Sequence, residues 1–98
     1  MSSVWIDLAK AVGKPSADIE TQAAFNWIMS EIYESDRQIA AFIRQYGVAS
    51  PGELESLIRS GGLNGHPEWE DAIDWVNLLD YRQRMLNACA GLNGGQIK

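Results

Sequence analysis

The sequence predicts an all-α protein, a bundle of four helices with two long members packed antiparallel. Three observations lead there. Residues 17–46 carry Phe25, Ile28, Ile32, Ser35, Ile39, Phe42 and Tyr46 at spacings of three and four, the repeat that holds one stripe of a helix against a partner. The same segment lacks the strict alternation a half-buried strand needs. Helix-start and helix-stop signals, prolines and capping residues on one side and glycines on the other, divide the rest of the chain.

Residues 3–12 read as a first helix, with Ser3 as its cap and Trp5, Leu8, Ala9 and Val12 on one face. Gly13 stops it, because glycine enters the left-handed region at no steric cost. Lys14-Pro15-Ser16 is a turn, and Ser16 is expected to cap the long helix. Asp18 and Glu20 then favour the positive end of that helix dipole, Arg44 favours the other end, and Gly47 closes it. Ile19, Ala23 and Trp27, four apart, lie on the side away from the main stripe. Docking of the first helix explains them most simply; an exposed Trp27 anchoring a partner is the sharper alternative.

Ser50-Pro51-Gly52-Glu53 is a capping box with proline at the first helical position, opening a helix over about 51–60 with Leu54, Leu57 and Ile58 inward. Gly61 or Gly62 ends it. The last helix is expected over about 67–90, opened by Pro67 and the acids Glu68, Glu70 and Asp71, and stopped at Gly91. It has two apolar stripes. One holds Ala72, Trp75, Val76, Leu79, Leu86 and Ala90; the other holds Leu78, Met85 and Cys89, with Tyr81 at its margin. Together they span about half the circumference, more than the ~100° of a simple surface helix, so this helix should meet two neighbours or a second chain. Gly-Leu-Asn-Gly, at 62–65 and 91–94, reads as one helix stop used twice, a glycine followed by a leucine folding back.

Ninety-eight residues make a single domain, 1–98, with 94–98 expected as a mobile tail. The hydrophobic share of 46% excludes a disordered chain. Apolar runs fall far short of the ~20 residues a membrane span needs, and MSSVWIDLAK has neither the basic lead nor the apolar run of a secretory signal. Cys89 is the one cysteine, so no intramolecular disulfide or four-cysteine zinc site can form; a reducing, cytoplasmic setting follows as the expectation. A net charge of -5 with scattered basic residues argues against nucleic-acid binding.

No segment carries a strong chemical signature. The acids Glu68, Glu70, Asp71 and Asp74 lack the alternating ligands and central glycine of an EF-hand, and His66 has no glutamate three residues before it. His66 reads as a hydrogen-bonding group near a helix start, Cys89 as a small hydrophobe, and the glycines at 61–65 lack a phosphate-loop lysine. Neither a metal nor a cofactor is expected. Ser35 and Asp36 place polar groups in or beside the main stripe, where a carboxylate must pair, stay hydrated or hold its proton. Arg82 or Arg84 would reach Asp36 if the long helices are antiparallel; otherwise Asp36 sits hydrated at the stripe edge.

The leading expectation is a protein–protein interaction module, an accessory subunit, adaptor or regulator without catalysis, with Trp27, Trp69, Leu78, Tyr81, Met85 and Cys89 as contact candidates. Its partner would be another protein or a second copy, and a homodimer would complete the four-helix bundle. An acidic inhibitor occupying a basic site is the second reading. The third is a small enzyme or ligand-binding bundle with a polar pocket around Asp36, using His66 or Tyr33.

Overall fold

The computed structural model describes residues 3–63 and 66–97, with side chains throughout except at 3, 5 and 93–97. Among the described residues the chain forms four helices and no strand: α1 (Ser3–Val12), α2 (Ser16–Tyr46), α3 (Pro51–Arg59) and α4 (His66–Ile97). The protein is all-helical.

α2 runs unbroken through Ser35 and Asp36. At 1.5 Å per residue it is roughly 46 Å long, and α4 is similar. Tyr46 donates to Asp71, the Phe42 and Trp75 rings stack 5.6 Å apart, Arg82 reaches Asp36, and Tyr81 reaches Glu31. From Asp36–Arg82 through Phe42–Trp75 to Tyr46–Asp71 numbers climb along α2 as they fall along α4, so the two are antiparallel. Their shared side buries Ile28, Ile32 and Ser35 from α2, and Ala72 and Trp75 from α4.

The tightest packing lies at one end of this pair. There α3 inserts Leu54, which is fully buried, and Ile58 against Ala72 and Trp75. Ile39, Phe42, Tyr46, Val48, Leu63 and Trp69 close around that cluster. Half of the capping box forms: the Ser50 hydroxyl accepts from the Glu53 N–H at 3.2 Å, satisfying one donor the first turn leaves unpaired, while the Glu53 carboxylate reaches one residue past the cap to accept from the Ala49 N–H at 3.1 Å. Toward the other end α1 leans on α2, with Val12, Ile19 and Ala23 lining the crevice between them.

Three glycine stops form. Gly13, Gly47 and Gly61 have φ of 72°, 66° and 84°. Gly61 rather than Gly62 takes the left-handed position of α3, with Gly61 N–H donating to Ile58 and Gly62 N–H to the Leu57 carbonyl, the doubled bond of a Schellman ending.

Three expectations are corrected. α2 starts at Ser16, so Pro15 is its cap and no side chain accepts there; the Pro15 carbonyl instead takes the Asp18 and Ile19 N–H groups. α4 starts at His66, with Pro67 inside the first turn, where its missing N–H costs nothing. α4 also continues past Gly91 to Ile97. A glycine ends a helix by turning left-handed, and Gly91 does not: among the described residues the positive-φ glycines are Gly13, Gly47 and Gly61. The Ser3 cap and Trp5 packing fall outside the described side chains, as do those of the expected mobile segment 94–97; Asn64, Gly65 and Lys98 lie outside the described residues.

The molecule is long and thin, 61 × 26 × 20 Å with a radius of gyration of 19.4 Å. A compact domain of about 100 residues would have a radius near 13 Å. Its surface is 6752 Å². A compact monomer of 10.9 kDa would expose roughly 5,600 Å², so about 1,200 Å² is surface in excess.

Two glycine substitutions should move stability in opposite directions. A Cβ at Gly91 meets nothing within 4 Å, so Gly91→Ala should stabilise the chain by about 0.5–1 kcal/mol in urea titration. Gly47→Ala should cost about 1–2 kcal/mol, because alanine is strained at that positive φ. No change for Gly91→Ala would place the end of α4 before residue 91.

Candidate functional site

Among the described residues the antiparallel pair carries three polar clasps between its helices, two near its middle and one at the α3 end. The first is Arg82 Nε to Asp36 Oδ1 at 2.5 Å, with the two side chains 35% and 51% exposed. Asp36 is therefore both paired and wet, at the edge of the stripe. Arg84 turns instead to Asp80, 3.1 Å away on its own helix. An ion pair this open contributes about 0.2–1 kcal/mol and acts mainly as a register mark. The second clasp is Tyr81 Oη donating to Glu31 at 2.5 Å, which raises the Tyr81 pKa by stabilising the protonated phenol. Ser35, between Glu31 and Asp36 in sequence, is 2% exposed. Among the described residues no buried side-chain polar atom lacks a hydrogen-bond partner.

Nearer the α3 end, Tyr46 donates to Asp71. Burial first, and this bond and the Asp71 charge next, push the Tyr46 phenol up to about 12. On the outer face of α2, Arg37 binds Glu34 through Nε at 2.9 Å and Nη2 at 2.5 Å, and Gln38 adds a bond at 3.0 Å. The Arg37 and Gln38 bonds hold the Glu34 carboxyl down at about 2. Among the described residues no three His, Cys, Asp or Glu side chains converge as a metal site, and no helix is long and apolar enough to cross a membrane.

The contact candidates divide into three settings. Trp27 is 56% exposed on α2, whereas Ile19 and Ala23, on the same side of the helix, are half-buried. Trp69 is half-buried against the α3 end of the core, with the Arg59 guanidinium 5.6 Å from its ring centre. Leu78, Tyr81, Met85 and Cys89 are half-buried. Leu78 and Tyr81 line a crevice of about 300 Å³ with Gln38, Phe42, Asp74 and Asn77, so this stripe is shared with α2. A larger crevice of about 590 Å³ lies between α1 and α2, lined by Val12, Lys14, Asp18, Ile19, Gln22, Ala23 and Asn26. Neither crevice includes Asp36 or His66. Tyr33 is 71% exposed.

The most open apolar surface of α4 is on its other stripe. Ala72, under α3, is 2% exposed, whereas Val76 and Leu79 further along are 47% and 42% exposed, with Ile73 at 58% beside them. Val76 and Leu79 stand in the first α4 stripe, but α3, which covers its start, is only nine residues long. A helix of nine residues covers roughly 14 Å, far less than the stripe it starts on. α1 is open as well, with Val4, Ile6, Leu8 and Val12 all exposed.

Fold and surface together define an elongated all-helical protein with a two-helix spine and unpaired apolar flanks. A family model described as the Uncharacterized protein MJ0235 family matches residues 1–97, and the chain belongs to that family. No curated protein and no solved structure matches it.

The raised Tyr46 pKa fixes the sign of a pH effect. Its contribution to stability is fully present below the ordinary phenol value of 10.0 and is lost as pH climbs through about 12. Wild type should therefore lose stability across that window more steeply than Tyr46→Phe, and ultraviolet titration should show a late phenolate that the variant lacks. A Tyr46 ionising at its ordinary value would contradict the Asp71 contact.

Proposed function

We propose that this protein is a helical protein–protein interaction module, an accessory subunit, adaptor or regulator that acts through its apolar helix faces and has no catalysis of its own. The large apolar side chains left exposed along a long, thin fold support this reading. A helix pair has two open sides; α3 fills part of one, and large apolar side chains stand exposed elsewhere, among them Trp27, Met29, Ile43, Val76 and Leu79. Contiguous exposed apolar patches on a folded chain mark surfaces that other chains cover. The reading places the protein in the cytoplasm, in keeping with its single cysteine.

An acidic mimic is a weaker fit to the same surface. Glu34, Asp36, Glu55 and Asp80 each pair with an arginine of the same chain, and Glu31 and Asp71 each accept from a tyrosine. Few of these carboxylates stand ready for a basic partner.

An environment-sensitive apolar dye tests the reading. The dilute folded protein should bind it with enhanced fluorescence, without any change in far-ultraviolet circular dichroism, and should release it when its partner binds. A folded chain that leaves the dye dark has no surface to offer, and the interaction reading fails.

A further inference from the structure

We infer that α1 is a hinged strap: it swings about residues 13–15, closes onto the outer side of α2 and covers Trp27, so that this face is open to a partner only while the strap is lifted. The closure stands by itself; its role as a gate rests on the interaction reading.

The structure holds the strap ajar. The crevice of about 590 Å³ between α1 and α2 runs along α2 from Asp18 to Asn26, whereas among the described side chains of α1 it is lined by Val12 alone. The two helices therefore meet at the turn and part beyond it. Val4 and Leu8, further from the turn, are exposed, and so is Trp27. Ala9 is the one described side chain of α1 that is even half-buried. A helix of ten residues is marginal in water unless it packs on something, and in the open position α1 packs on very little.

The faces that would close on each other match rung by rung. Val4, Leu8 and Val12 stand four apart on α1. Ile19, Ala23 and Trp27 stand four apart on α2, away from the stripe that meets α4. The first rung is already in place, since Val12 and Ile19 line the crevice together. Each further step of four residues advances roughly 6 Å along either helix. Folding α1 back as the arm of a helical hairpin therefore sets Leu8 on Ala23 and Val4 on Trp27. Neither row holds a charged residue, so the closing rungs are apolar throughout. Because the row on α2 faces away from α4, the strap reaches it without displacing the spine.

The joint suits the motion. Gly13 sits at a φ of 72°, and extended Pro15 follows it. Hinges are a few residues at the ends of elements that absorb a large change in backbone angles, and glycine does so at least cost. A buried Trp27 has nothing to offer a partner; an exposed one is an aromatic anchor. Opening and closing thus set how much of the chain presents that face.

Disulfide trapping in the full chain tests this. In a Cys89→Ser background, Leu8→Cys with Ala23→Cys should form an intramolecular bond on mild oxidation at least about 10-fold faster than Ile6→Cys with Ala23→Cys, whose first cysteine lies on the opposite side of α1. Far-ultraviolet circular dichroism should stay that of wild type. The trapped form should shift tryptophan emission to the blue and lose part of its apolar-dye fluorescence. Reduction should reverse both, and Trp27→Phe added to the pair should remove the emission shift. Equal rates for the two pairs, or trapping without that shift, overturn the strap. Bonds formed mainly between chains show α1 lodging on another copy and overturn closure within one chain. A chain that traps as expected but leaves the dye dark even when reduced keeps the hinge and removes both the interaction reading and the gate.

Discussion

One contact among three helices holds this molecule in register. Trp75 is buried between Phe42 of α2, whose ring stacks on it, and the Leu54 and Ile58 side chains of α3. Nowhere else among the described residues do three helices bury a shared cluster of this kind. Once Phe42 faces Trp75, antiparallel geometry brings Asp36 toward Arg82 and Glu31 toward Tyr81. The polar clasps therefore confirm a register that apolar packing sets. They are too exposed to set it alone.

The same contact explains why so much apolar surface stays open. Two helices can bury only the stripes that face each other, and a third must lie in their groove to cover a flank. α3 does this for the length of nine residues and then ends, at Gly61, in a left-handed turn. α1, at the far end, touches α2 and leaves most of its own apolar residues in water. A rod of this kind spends about the same conformational entropy per residue as a globule and recovers less burial. Its unpaired flanks are thus a cost to the isolated chain.

Much of this was legible from residue types and spacing. The stripe from Phe25 to Tyr46 places α2 to within one residue, the capping box places α3, and two of its stops, Gly13 and Gly47, are where the glycines are. Even the choice of Arg82 or Arg84 for Asp36 follows from antiparallel packing, with Arg82 the one that reaches it. Gly91 misleads because glycine permits a stop without compelling one, and no proline follows to forbid helix. The division of labour between the α4 stripes was beyond reach for a different reason. Leu78, Met85 and Cys89 lie only a fraction of a turn from Trp75 and Leu86, so both arcs suit α2. Which flank remains open depends on where α3 lies, and that is a matter of tertiary packing.

The central claim is that α2 is one continuous helix, pinned to α4 in a single register by the Trp75 cluster. Native-state hydrogen exchange by NMR tests it residue by residue. The slowest amides should lie at about 28–46 and 72–86, with those of Ser35, Asp36 and Arg37 as protected as their neighbours, while α1 exchanges fast. Rapid exchange confined to residues 34–38 would show the spine broken at its polar centre, and would contradict the register on which every surface described above depends.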